Sequence, residues 1–334
     1  PPPPPVFFSN HTPAYELLSG LVGSEMCIRD RYKGGLSDYS AVELGTMAVQ
    51  ELLKRATIDP SSGLIDQVYM GQVLQAGAGQ APARQVALGS GMPADTPCTT
   101  VNKVCGSSLK AAMIAATEIR AGISNLVVAG GMESMSNAPH IVRGGNNGDT
   151  VQFSTMESVM MQDGLIDAFT GESMGNTGET VALEHDISRK KSDAFAVRSH
   201  ALANEAWANG WLASEVFTVG PLEMDEGIRP DTNEEVLSKL KTVFRDQGQV
   251  TAGNSSQVSD GGSAVLIASE QFANEHGLPV LAKIVDYTTS GVEPQRVMSA
   301  PIPAVNRLLQ LSLIHISEPT RPERIGYAGV GVEK

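Results

Sequence analysis

The chain has 334 residues, 41% of them hydrophobic and 18% charged, with a formal net charge of -13. That composition is globular and long enough for a sizeable core and two or so domains, and its acidity argues against nucleic acid or an anionic membrane surface as partner. No apolar run approaches the ~20 residues of a membrane span, and the three cysteines, Cys27, Cys98 and Cys105, have spacings that fit neither a disulfide framework nor a zinc site. A reducing cytoplasm is their simplest home.

The two ends read differently from the middle. Five prolines open the chain, residues 21–31 read LVGSEMCIRDR, and residues 311–321 read LSLIHISEPTR. The last two strings match translations of opposite strands of one sequencing-library adapter. Residues 1–31 and 311–334 are therefore expected to be non-native and are set aside in reasoning about the fold, as processing scars are. On that reading the Asn10-His-Thr12 sequon, Cys27 and His315 carry no function. A read of the source locus that contains these codons overturns it.

Between the ends, Ser40 and Glu43 form a capping box that opens a helix running to about Ala56. A strand follows from Ile65 to Val73, then the glycine-rich Ala76–Gln80 and a helix from Pro82 to Leu88. The glycines could cradle a phosphate, but the Gly-Lys-Ser/Thr of a P-loop is missing, which favours a plain loop. The β-branched Thr99-Thr100-Val101 reads as a strand leading into VNKVCGSSLKAAMIAA, in which Gly106-Ser107-Ser108 supply a turn and a cap. Small and apolar residues cover almost every face of Leu109–Ile119, so this helix is expected to be buried all round. Cys105 then stands where a strand meets a helix N-terminus, whose free N–H groups and dipole favour an anion and suit a thiolate. Two readings stay open on these grounds: an activated nucleophile, or a small buried hydrophobe.

Residues 125–134 form another strand, and the strand–helix alternation calls for a parallel or mixed sheet with helices on its faces. From His140 the β signals thin out. Gly144–Asp149 reads as loop, and Ile187–Asn209 as a polar helix. Met156, Met160, Met161 and Met174 could form a flexible apolar patch or fill gaps in a core; filler is the reading for all but Met174. Gly262–Ser269 and Ala282–Thr288 read as strands, with a helix from Ser269 to His276 between them.

VNKVCGSSLKA, followed by VVAGGMESMSNAPH, resembles the active-site region of the thiolases, the acetyl-CoA acetyltransferase family. The resemblance covers about Lys33 to Gln310. It implies an α/β thiolase-like fold, layered αβαβα in two similar halves. The N-terminal domain would span 32–139 and 247–278, the CoA-covering loop domain 140–246, and the start of the C-terminal domain 279–310. It implies that Cys105 is the acyl-thioester nucleophile. It also implies CoA or acyl contacts at Leu165, Met174, Arg229, Phe244, Ala252, Gly253, Ser256 and Met298. Ser173 stands where short-chain biosynthetic members carry His, which leaves chain length open. Acyl-CoA thioesters would be substrates, with no permanently bound cofactor and no metal, and the intact protein would be a homodimer or homotetramer.

The family's C-terminal Asn-Glu-Ala-Phe, Gly-His-Pro and Cys-x-Gly-Gly-Gly motifs do not occur in this sequence. The chain as written is therefore expected to carry the nucleophile and the CoA contacts but to be inactive in thiolysis of acetoacetyl-CoA; measurable turnover would refute this. Rival readings are a ketoacyl-synthase-like condensing enzyme, tested with malonyl thioesters, and a non-catalytic acyl-CoA or lipid-binding protein of the same fold. A cysteine hydrolase is weaker, for want of a matching signature.

Overall fold

The computed structural model describes residues 19–142, 155–312 and 330–333. The chain runs through β1 (Ser19–Cys27), α1 (Ala41–Arg55), β2 (Gln67–Gly71), α2 (Pro82–Gly89), β3 (Cys98–Val101), α3 (Ser107–Arg120), β4 (Leu126–Ser134), β5 (His140–Val142) and β6 (Met156–Ser158). It continues through α4 (Met174–Glu184), α5 (Arg189–Ala208), β7 (Val216–Phe217), α6 (Glu234–Ser238), β8 (Asp260–Ser269), α7 (Glu270–Glu275), β9 (Ala282–Tyr287), α8 (Pro301–Ser312) and β10 (Val330–Glu333). The capping box at α1 is present in full: Ser40 Oγ accepts from Glu43 N–H, and Glu43 accepts from Ser40 N–H. The expected elements from Ser40 to Tyr287 are found with ends shifted by a few residues.

The main sheet has the order β10-β9-β1-β8-β4-β2-β3, with β7 paired to β1. β2 is parallel to both β3 and β4, whereas β8 is antiparallel to β4 and to β1. Side-chain alternation along the strands sorts the helices into layers. Leu126 and Val128 of β4, with Ala264, Leu266 and Ala268 of β8, join a core that includes Val49, Leu52 and Leu53 of α1 and Val86 of α2. Val127, Ala129 and Ile267 point the other way, onto Ala111, Ala115, Ala116 and Ile119 of α3.

Helix α3 departs from the sequence expectation. It is buried along Ser107, Ala111, Met113, Ala115, Ala116 and Ile119, and only half-buried at Leu109, Ala112 and Ile114. Among the described residues the sheet covers one face of it. Met156 departs too: it is 70% exposed, so it fills no core gap in this chain, while Met160 and Met161 are half-buried in a turn of π-helix at Met160–Leu165.

The sheet also reaches further back than expected. The elements expected begin at Ser40, and ahead of them β1 pairs with β8 from Ser19 to Met26 and with β9 at Gly20 and Leu21. Backbone pairing is indifferent to the source of the side chains, and the alternation here puts Val22 into the α1 face of the core. One inward side chain fits poorly. Glu25 is 4% exposed and faces Arg55 Nη1 at 3.0 Å. Burial, opposed by Arg55, pushes its carboxyl up to about 7. Arg55 meanwhile donates to the carbonyls of Ser214 and Val216 and to Glu51, tying β7 to α1. Asn10, Gly144–Asp149 and His315 lie outside the described residues.

Candidate active site

Cys105 is the exposed one of the three thiols. It is the fourth of the five residues, Asn102 to Gly106, that link β3 to α3, and side chains in and beside that turn fix its shape. Asn102 Oδ1 accepts from Val104 N–H at 3.0 Å, an Asx turn, while its Nδ2 donates to Val73 O. Ser107 Oγ accepts from Lys103 N–H at 2.8 Å and donates to Val104 O at 2.5 Å. Val104 is held at φ 47°, a left-handed conformation that is costly for a β-branched residue. The turn thus presents the thiol just ahead of α3. The helix cap is Gly106, which offers no side chain; the Gly106 and Ser107 N–H groups turn back to Lys103 O and Val104 O, both at 3.1 Å, and the N–H groups that follow in the first turn of α3 have no side-chain cap. Turn and cap thus both come from Gly106-Ser107-Ser108, as the sequence implies, with Gly106 as the cap and Ser107 bracing the turn.

Two glycines let α3 start so close to the sheet. A Cβ on Gly71 of β2 would lie 2.6 Å from the Ser107 carbonyl carbon and the Ser108 nitrogen. One on Gly131 of β4 would lie 2.7 Å from Ser108 Cβ. The turn is joined to the loop region through Val73 and Leu74, whose N–H groups donate to Glu133. Leu74 Cδ2 lies 3.5 Å from a Cβ built on Gly164, next to Leu165.

Five of the expected contact residues come together around α4. The half-buried Leu165 ends the π-helical turn, and an Ile166–Ser173 bridge sets it beside Met174, the first residue of α4. Ser173, the departure noted in the sequence, caps α4 by accepting from Asn176 N–H. A hairpin joined by Val243 N–H to Val250 O and by a Thr242–Thr251 bridge carries Phe244 on one leg and leads into Ala252 and Gly253 on the other. The Phe244 ring lies against Gly175, so closely that a side chain there would overlap it. Gly253 rests on Leu237 and Leu240, where a Cβ would come within 2.5 and 2.6 Å of their methyl groups. Phe244 is 37% exposed and Ala252 is exposed, so this ledge faces outward.

Arg229 and Ser256 are both exposed, on two loops that meet where Gly227 packs on Gln257. Arg229 N–H donates to His200 Nδ1 at 3.2 Å. Burial and the Arg229 charge pull the His200 imidazole below its ordinary pKa, which keeps Nδ1 an acceptor. Met298 is 48% exposed on a 3-10 turn, Pro294–Ser299, whose Arg296 bonds Glu184 at the far end of α4.

A profile of the thiolase N-terminal domain matches residues 20–271. The chain belongs to the thiolase family. It is 40% identical over 304 residues to an acetyl-CoA acetyltransferase of Pseudomonas aeruginosa, covering 86% of this chain and 77% of that one. It is 41% identical over 288 residues to the enzyme of that name from Cupriavidus necator, covering 84% and 73%. Among solved structures, the Acat5 thiolase of Ascaris suum in complex with coenzyme A superposes with a TM-score of 0.84 at 33% identity, over 90% of this chain and 78% of that one. Human mitochondrial 3-ketoacyl-CoA thiolase in complex with CoA gives 0.83 at 34%, over 89% and 76%. The thiolase-like α/β fold expected from the sequence is the fold found.

The residues that line the ledge are legible in the sequence, and those that hold it are not. Glu179, Asp193 and Asn254 bond to backbone or to one another across 61 to 71 positions, and Asn102, which braces the Cys105 turn, reaches Val73 O 29 positions back. Only Asn102, two positions before a strained residue, left a local signal.

Proposed function

We propose that this thiolase-family chain is an acyltransferase that loads an acyl group from a CoA thioester onto Cys105. In the family reaction the acyl enzyme serves Claisen condensation of two acetyl-CoA to acetoacetyl-CoA, or the reverse thiolysis of a 3-ketoacyl-CoA; this sequence lacks the Gly-His-Pro and Cys-x-Gly-Gly-Gly motifs that supply the base, so the step expected of it is the loading of Cys105. The observation that carries the reading is the exposed thiol on a strained, internally braced turn at an uncapped helix N-terminus. The thiolate attacks the thioester carbonyl, the carbon–sulfur bond to CoA breaks, and CoA leaves as its thiolate. As the carbonyl oxygen gains negative charge, the N–H groups of the first turn of α3 beyond Ser107, and the positive end of the helix dipole, would stabilise it. Leu165, Met174, Phe244, Ala252, Gly253, Ser256 and Met298 would hold the pantetheine and acyl part. Arg229 supplies a planar cation for the nucleotide end, a local charge that an acidic protein needs for an anionic ligand.

CoA thioesters enter this scheme as substrates and not as a resident cofactor. We assign the chain to the cytoplasm; no helix of the described residues is long and apolar enough to cross a membrane. A homodimer or homotetramer is the expected assembly, supported by β3, which ends the sheet with one side of its backbone unpaired among the described residues. We place the N-terminal domain at 32–139 and 247–278, the loop domain at 140–246 and the start of the C-terminal domain at 279–310. We ascribe 1–31 and 311–334 to adapter sequence. The test of function is incubation with acetyl-CoA, then peptide mass spectrometry. One acetyl group is expected on the peptide bearing Cys105, with release of free CoA. Absence of that adduct under native conditions would overturn the assignment.

A further inference from the structure

Glu179 lies in the middle of α4, is 4% exposed, and has no salt bridge to a cation among the described residues. Its carboxylate accepts from the backbone N–H of Gln249, at 2.9 and 2.8 Å to its two oxygens, and from that of Val250 at 2.8 Å. Gly248 passes so near the carboxylate that a side chain there would overlap it. The hairpin's own turn is closed by Gly248 N–H to Arg245 O, with Gln247 held at φ 56°. A carboxylate taking two adjacent N–H groups supplies what a further strand would have supplied.

Spacing explains the second half of the geometry. Gly175 and Glu179 are four apart and so share one face of α4. Gly175 receives the Phe244 ring and Glu179 receives the hairpin's returning leg, so one helix face grips the hairpin at both legs. Beyond the hairpin, Asn254 Oδ1 accepts from Thr251 N–H, and its Nδ2 donates to Asp193 Oδ1 at 2.9 Å. Asp193 is itself bonded to Arg189 Nε, and Arg189 reaches the carbonyls of Leu237 and Leu240 beneath Gly253.

We infer that Glu179 is a positioning residue for CoA. Its carboxylate fixes the hairpin that bears Phe244, Ala252 and Gly253 before ligand arrives, so that binding does not have to order this segment. The inference rests on the reading of those residues as CoA contacts. Glu179→Gln keeps size but replaces one acceptor with an NH2 group aimed at backbone donors. CoA binding to the full chain by calorimetry is expected to weaken at least tenfold in Glu179→Gln, and less in Glu179→Asp, which keeps the carboxylate. Alkylation of Cys105 by iodoacetamide, which reports the β3–α3 turn, is expected to proceed at the parent rate. Equal CoA affinity in parent and Glu179→Gln overturns the inference and leaves the proposed function standing. Failure of the parent chain to bind CoA overturns both. Should Glu179→Gln lack a cooperative melt, Asn254→Ala takes its place, since it frees the same segment one turn further on. Parent-like affinity in that variant overturns the inference equally.

Discussion

Cys105 differs from Cys27 and Cys98 in exposure, and that difference is chemical. Cys27 is fully buried, its sulfur accepts from Gly262 N–H at 2.8 Å, and burial pushes its thiol up to about 11. Cys98 is half-buried and is also raised by burial. Brief treatment with iodoacetamide at neutral pH should therefore modify one site, and Cys105→Ser should abolish both that adduct and the acetyl adduct, as read by intact-mass spectrometry. Label on Cys27 in the folded chain would contradict the burial described. Glu25 gives a prediction of the opposite kind. Its carboxyl is raised from 4.5 to about 7, so between those values the folded chain holds a proton that the unfolded chain has released. Stability is fully present below that window and falls as pH rises through it, by about 3 kcal/mol in all. Glu25→Gln should flatten the dependence of Tm on pH across this range; an unchanged slope would show that Arg55 already neutralises the site.

At the scale of elements, the approach of α3 to the sheet is the feature most open to test. Gly71→Ala puts a methyl group into the α3 backbone, an overpacking that costs about 1–3 kcal/mol. Because the displaced residues, Ser107 and Ser108, lie two and three positions after Cys105, the variant should also change the rate of thiol alkylation; a lower Tm with an unchanged rate would mean that the turn does not depend on this contact. The same elements show what could be read from sequence. The β3–α3 junction and the α1 capping box depend on residues within a few positions of each other, and both were legible. The α4 grip on the hairpin was not, because Glu179 meets Gln249 and Val250 some 70 positions away, and nothing near Glu179 separates it from a solvated helix glutamate. The burial of α3 was overstated for a related reason: composition tells how apolar a helix is, not how many layers cover it.

On the scale of the whole molecule, β1 is the keystone of pairing. It holds β8 on one side and both β9 and β7 on the other, and Leu52 of α1 packs against the bare backbone of Gly23. Removing residues 1–31 should strip β8 of a full-length partner and abolish cooperative thermal unfolding, whereas removing residues 1–18 should leave it intact. Circular dichroism melts of the two deletions decide the matter. A cooperative melt after the longer deletion would mean that residues 19–31 decorate the sheet and do not complete it.

That keystone also sets the timing of synthesis. Cys27 and its partner Gly262 are 235 residues apart. At ribosomal rates of ~5–20 residues per second, β1 waits on the order of 10–50 s after emerging before β8 exists to pair with it. Throughout that interval a strand with two unsatisfied edges is exposed to every other nascent chain, the condition under which strands associate wrongly. Production of this chain in cells should therefore be limited by chaperone capacity and by translation speed, and slower growth at low temperature should raise the soluble yield.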